Sequence, residues 1–141
     1  MNWDGKNVLV TGAGGFIGGA LCARLLADGW AVSGTLRGTP RDAPLPAGVA
    51  ALRLDLKDSA AWRRALDEAQ PDCVFHLASP VDPSRDPSAF PLMSAEILGV
   101  GHEVATSCLE RGLRLVVTGT CEEYGDGPAP FSEAQLPQPV S

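Results

Sequence analysis

Residues 6–18 read KNVLVTGAGGFIG, and their reading decides the fold. Val8–Thr11 is apolar and β-branched on consecutive positions, the pattern of a strand buried on both faces, as in a parallel sheet. Glycines then fall at 12, 14, 15 and 18. A G-x-G-x-x-G pattern starting at Gly12 would need glycine at position 17, which is Ile17. The spacing that fits is G-x-x-G-x-x-G, on Gly12, Gly15 and Gly18. In such a loop Gly12 makes the tight turn, Gly15 lets the backbone approach a pyrophosphate, and Gly18 lets the helix pack on the sheet. The period then changes: Phe16, Ile17, Ala20, Leu21, Leu25 and Leu26 recur as one face of a helix, and Gly29 is placed to close it with a left-handed cap. A tight turn that binds nothing is the alternative reading of the glycines alone. Their place between a buried strand and an amphipathic helix favours a phosphate site, because that helix start offers free N–H groups and a positive dipole end.

Outward from this unit the alternation continues. WAVSGTLR reads as a second strand, GTPRDAPLPAG as a Pro/Gly-rich loop, and VAALRLDL as a third strand. Asp58 or Ser59 can cap the next helix, with Trp62 and Leu66 on its inner face and Pro71 just past its end. CVFHLAS is the fourth strand, with His76 read as a satisfied core histidine. After a polar loop, a long helix is expected from about Pro91 to Arg111, turning Ile97, Val104 and Cys108 inward. LRLVVTG is the fifth strand. The order predicts an α/β fold, a doubly wound parallel sheet whose pattern breaks off after the fifth strand. Residues 1–125 form the expected nucleotide-binding domain. Residues 126–141 hold four prolines and no periodicity, and read as a loop or a disordered end.

Composition narrows the classes. The chain has 141 residues, 45% of them hydrophobic, and a net charge of −6. That suits one globular domain and argues against non-specific binding to nucleic acid or an anionic membrane. No apolar run approaches the roughly 20 residues of a membrane span, and the N-terminus lacks the apolar run of a signal peptide. The four cysteines (Cys22, Cys73, Cys108 and Cys121) form no C-x-x-C pair and read as reduced thiols in a cytoplasmic protein.

VLVTGAGGFIG, together with RLDL, VFHLAS and VVTGTCEEYG at matching spacing, resembles the extended short-chain dehydrogenase/reductases. This is the family of nucleotide-sugar epimerases, dehydratases and ketoreductases, and the resemblance covers nearly the whole chain. It implies a Rossmann fold that binds NAD or NADP. It carries cofactor contact onto Gly12, Gly15, Phe16, Ile17 and Gly18 of the loop. It also implies contact with the adenine end for Asp55 and Leu56, and a path to the nicotinamide lined by Leu77, Ala78 and Ser79. No acidic residue closes the second strand to hold the ribose hydroxyls of NAD. Arg37 stands there instead, with Arg41 in the loop after it. A guanidinium can grip a 2′-phosphate with two bonds, so NADP is the expected cofactor and NAD the alternative.

The chemistry is where the sequence departs from the family. By resemblance Thr120 carries the hydroxyl role near the substrate. Glu122 stands where nucleotide-sugar dehydratases hold a glutamate base, or else is a loop carboxylate, and Tyr124 matches a structural tyrosine. Cys121 has no nearby histidine in sequence to activate it as a nucleophile. The family's acid–base pair, Tyr-x-x-x-Lys, is missing: Tyr124 is the only tyrosine and Lys57 the last lysine. Glu96 stands where the family usually has an asparagine that holds a relay water. The resulting expectation is the nucleotide-binding part of an oxidoreductase acting on a small substrate, a nucleotide-sugar by resemblance, and inactive on its own. Self-association through the exposed edge of the fifth strand is also expected. The alternatives are a naturally short, non-catalytic dinucleotide-binding or interaction module, and a flavin- or nucleotide-binding domain of another doubly wound family.

Overall fold

The computed structural model describes residues 5–38, 44–80 and 86–139. Among them, β1 (Asn7–Thr11), β2 (Ala31–Leu36), β3 (Ala50–Arg53), β4 (Cys73–His76) and β5 (Arg114–Val117) form one sheet in the order β3-β2-β1-β4-β5. Every pairing is parallel. The chain steps outward from β1 through β2 to β3, then returns past β1 to β4 and β5. The direction of winding therefore reverses between β1 and β4, and the connections leaving their C-terminal ends pass to opposite faces of the sheet, which leaves a crevice.

Helices cover both faces. On one face α1 (Phe16–Ala27) sets Cys22 and Leu25 against Val8, Val10, Val32 and Cys73. On the other, α2 (Ser59–Ala69) and α4 (Val100–Glu110) set Trp62, Leu66, Val104 and Cys108 against Leu9, Leu52 and Val74. Successive residues of β1 thus serve two cores, which is why its sequence is apolar without alternation. The α1 cap is as expected: Gly29 has φ +80°, its N–H donates to the Leu26 carbonyl, and the Trp30 N–H donates to the Leu25 carbonyl, each at 3.0 Å. Asp58 caps α2 by accepting from the Ala61 N–H at 2.9 Å.

Two expected faces are rotated. The inner face of α1 runs through Gly18, Cys22 and Leu25, while Phe16 and Ile17 stand 97% and 63% exposed and Ala20 is exposed. Gly18 between them is buried, so these three face away from the core, whereas Leu21 and Leu26 of the expected face pack half-buried against it. The long helix is composite: a 3₁₀ turn (Pro87–Ala89), α3 (Phe90–Ser94), a π-helical turn (Ala95–Gly99), and then α4. Val104 and Cys108 are buried as expected, but Ile97 is 45% exposed. The π turn is wider than an α turn and slows the rotation per residue. Glu96, Val100, Val104 and Cys108 then recur every four residues on the inner side, and Ile97 moves to the flank.

The four cysteines are free thiols, three of them buried and Cys121 exposed. After a 3₁₀ turn (Cys121–Tyr124), residues 125–139 carry no helix or strand and fold back in turns. Phe131 stacks on Tyr124 at 5.3 Å, and the Gln138 N–H donates to the Glu123 carbonyl at 2.7 Å. Arg41 lies outside the described residues. No helix among the described residues is long and apolar enough to cross a membrane.

Candidate functional site

The glycine turn closes the end of β1 where the sheet winding reverses. Gly12 has φ +69°, and the Gly15 N–H donates back to its carbonyl at 2.9 Å. A side chain at Gly12 would be strained by that φ and would also stand 2.9 Å from the Ala78 nitrogen. A Cβ on Gly18 would overlap the Gly12 carbonyl oxygen and lie 2.8 Å from its carbon. Gly18 is therefore needed for the helix to approach its own loop, more than for packing on the sheet. Gly15 is looser, with one backbone oxygen 3.1 Å from the position of a Cβ. Gly15 opens α1 with no side-chain cap, and the first helical bond runs from the Gly19 N–H to the Gly15 carbonyl. The N–H groups of Phe16, Ile17 and Gly18 precede that bond and have no acceptor in the helix.

In front of this turn lies a cleft of about 250 Å³. The β1–α1 turn contributes Gly12, Gly14 and Gly15, and the end of β2 contributes Thr35, Leu36 and Arg37. The segment after β3 adds Leu54 to Lys57, the end of β4 adds Leu77 to Pro80, and the far helix adds Glu96 and Val100. The structure thus gathers Gly12, Gly15, Arg37, Asp55, Leu56, Leu77, Ala78 and Ser79 in one cavity. Phe16, Ile17 and Gly18 are not part of its lining, and the first two offer backbone rather than side chains. Thr120 and Glu122 also lie outside it. Both are exposed, and the Thr120 hydroxyl accepts from the Glu122 N–H at 3.2 Å, capping the 3₁₀ turn.

The cleft's back wall is held by Thr11, fully buried at the end of β1. Its hydroxyl accepts from the Leu77 and Ala78 N–H groups at 3.1 and 3.2 Å, and stands 2.8 Å from His76 Nδ1. With both lone pairs used, the single hydroxyl proton points to His76, so Nδ1 is the acceptor and the ring proton sits on Nε2. Burial lowers the His76 pKa below its ordinary value and favours this neutral form. His76 is the satisfied core histidine that the sequence suggests.

Charge is arranged along the cleft. Lys57 Nζ lies 3.2 Å from Glu96 Oε1 and 3.6 Å from Asp55 Oδ2. The hydrogen bond to Glu96, then the Asp55 charge, raises the Lys57 pKa. Asp55 also accepts from the Lys57 N–H at 3.0 Å, which fixes the turn after β3. The Arg37 and Arg53 side chains are both exposed and bond to no other described residue. Arg53 Nη1 lies 3.8 Å from the Cβ position of Gly38, so two guanidinium groups flank the end of β2. Thr11, Arg53 and Lys57 were not singled out from sequence. Thr11 alone left a signal there, as a polar residue at the last position of a buried strand. No group of three or more His, Cys, Asp or Glu able to hold a metal occurs among the described residues.

The model of the NAD dependent epimerase/dehydratase family matches residues 8–141. The chain is 37% identical over 127 residues to a dihydroflavonol 4-reductase of Dianthus caryophyllus, covering 81% of this chain and 33% of that protein. It is 34% identical over 116 residues to a 2-alkyl-3-oxoalkanoate reductase of Shewanella oneidensis, covering 82% of this chain and 28% of that protein. The solved UDP-glucose 4-epimerase of Thermus thermophilus, in complex with NAD, superposes with a TM-score of 0.80 at 31% identity, over 95% of this chain and 45% of that one. The chain therefore spans about a third of these curated relatives and under half of that structure. With the sheet order, the glycine turn and these matches in agreement, the chain belongs to the NAD dependent epimerase/dehydratase family.

Proposed function

We propose that the cleft binds a nicotinamide adenine dinucleotide, and that the chain is the nucleotide-binding part of an oxidoreductase. One observation carries this reading. At Gly12 and Gly18 a Cβ would collide with backbone, and the turn they form lies under an uncapped helix start at the reversal point of the sheet. Glycine there permits close backbone approach, and the helix start offers N–H groups with no acceptor in the helix, which suits a pyrophosphate. The loop from Gly12 to Gly18 would hold the phosphates, Asp55 and Leu56 the adenosine, and Leu77 to Ser79 the approach to the nicotinamide. The bound cofactor would supply hydride transfer. The similar epimerase whose structure contains NAD supports the ligand class.

The finer reading is NADP. Arg37 lines the cleft where an acidic residue would hold ribose hydroxyls, and Arg53 Nη1 lies 3.8 Å from the Cβ position of Gly38, the next residue. Calorimetric titration with NADP and NAD tests this. Arg37→Ala should weaken NADP about 10-fold or more, the worth of a charge-assisted contact, and leave NAD nearly unchanged. Equal loss for both cofactors, or no loss, would return the assignment to NAD.

For the substrate, a nucleotide-sugar oxidised or reduced at a ring carbon follows from the epimerase likeness. A small carbonyl compound is the second reading, favoured by the reductase names of the curated relatives. In either case Thr120 would orient the substrate oxygen. A hydroxyl needs a partner of shifted pKa to move a proton near neutral pH. Tyr124 stacks on Phe131, and burial first, then Glu123, raises its pKa, which suits a structural tyrosine. This chain by itself is proposed to bind the dinucleotide and turn nothing over. The outer edge of β5, where Val116 and Val117 are 38% and 58% exposed, is the proposed route of self-association.

A further inference from the structure

We infer that Lys57 is a positioning residue that lets the cleft accept a phosphate-bearing ligand by neutralising Glu96, a role that rests on the dinucleotide reading above. Among the described residues, the charged side chains lining the cleft are Arg37, Asp55, Lys57 and Glu96, two of each sign. Glu96 is the more enclosed of the carboxylates, with a side chain 17% exposed against 52% for Asp55. It faces inward because the π turn at Ala95–Gly99 brings it into line with Val100 and Val104. A carboxylate so placed opposes any dianionic ligand in the same cavity.

Lys57 answers that charge at 3.2 Å. It follows β3, whereas Glu96 sits on the helix after β4, 39 residues along the chain. Its amine lies between the Glu96 and Asp55 carboxylates. Without it the described lining would carry one net negative charge, and Glu96 would stand unpaired in the same cavity as the ligand. In this arrangement Lys57 is committed to the carboxylates and acts on the ligand only through them. Had Lys57 gripped a phosphate itself, Glu96 would be a competitor for its amine rather than the reason for its presence.

A double-mutant cycle separates these roles. NAD is titrated calorimetrically into the 141-residue chain and its Lys57→Met, Glu96→Gln and doubly substituted variants, at 50 and 500 mM salt. Lys57→Met should weaken NAD about 5-fold at low salt, the effect of one unpaired charge across a screened cavity. The loss should shrink at high salt. Glu96→Gln should bind NAD at least as tightly as the parent chain, and the double variant should return to within about 2-fold of it. A double variant as weak as Lys57→Met would overturn the inference, since the lysine would then serve the phosphate directly. Four equal affinities would overturn it too. Failure of the parent chain to bind NAD or NADP would remove the dinucleotide reading and this inference with it. Melting curves of all four forms show whether each is folded, and the charge-swapped pair Lys57→Glu with Glu96→Lys, expected to bind like the parent, decides the matter if Lys57→Met alone is not.

Discussion

Replacing Thr11 by valine is the most informative single change in the scaffold of the site. Valine is close to threonine in shape, so it leaves no cavity and the packing of β1 is kept. What disappears is one hydroxyl that makes three hydrogen bonds, to the Leu77 N–H at 3.1 Å, the Ala78 N–H at 3.2 Å and His76 Nδ1 at 2.8 Å. Each is worth about 1 kcal/mol net, and a buried group left without a partner costs about 1–3 kcal/mol. The sum is a loss of roughly 3 kcal/mol, a large share of the 5–15 kcal/mol typical of a domain. Thr11→Ser keeps the hydroxyl and drops a buried methyl, so it should cost only about 1 kcal/mol. Urea unfolding measures both, and the midpoint should fall with the slope unchanged. Because Leu77 and Ala78 line the cleft, Thr11→Val should also weaken NAD, whereas Thr11→Ser should not. A valine variant within about 0.5 kcal/mol of the parent, or more stable than the serine variant, would refute the reasoning.

Three further outcomes are expected. Gly18→Ala should destabilise the chain by about 1–3 kcal/mol because its Cβ meets rigid backbone, while Gly15→Ala should cost clearly less; thermal melts compare the two. His76 has its pKa lowered by burial from 6.5, so the unfolded state takes up its proton first as pH falls. The stability this group confers is full above about pH 7 and is lost below about 6.5, by up to about 1.4 kcal/mol per pH unit until the folded pKa is reached; urea unfolding of the parent and His76→Gln across pH 5–8 shows whether that slope belongs to His76. Iodoacetamide at pH 8 should label one thiol of the native chain, Cys121, since Cys22, Cys73 and Cys108 are buried and burial pushes Cys73 up to about 11; mass spectrometry showing a second labelled thiol before unfolding would contradict the packing.

The strands and the glycine turn were legible because they depend on local signals. A run buried on both faces, a glycine triplet and a helical period need no knowledge of distant residues. The doubly wound sheet followed from the alternation itself. Phe16 and Ile97 were misplaced because an apolar residue reports burial only where a core lies opposite it. Phe16 faces away from the core, and the π turn moves Ile97 out of the inward row. Cleft residues contributed by glycine loops and strand ends were readable by resemblance, but Thr11, Lys57 and Arg53 were not. The roles of Thr11 and Lys57 arise from partners 65 and 39 residues away, and Arg53 comes near Gly38 only because β3 pairs with β2. The Lys57–Glu96 pair shows this most clearly, since Lys57 carries no motif and the pair forms only when the segment after β3 meets the helix after β4.

The central claim is that the glycine turn and the facing end of β4 together hold a dinucleotide. Backbone amide NMR of the ¹⁵N-labelled chain, titrated with NAD and NADP, tests it residue by residue. Saturable shifts are expected at the N–H groups of residues 16–18, which have no acceptor in the helix, and at Leu77, Ala78 and Ser79 across the cleft. The same shifts should be absent in Gly15→Asp, which puts a negative charge where the phosphates approach. A spectrum unmoved by either cofactor, or moved only outside these two segments, would contradict the account.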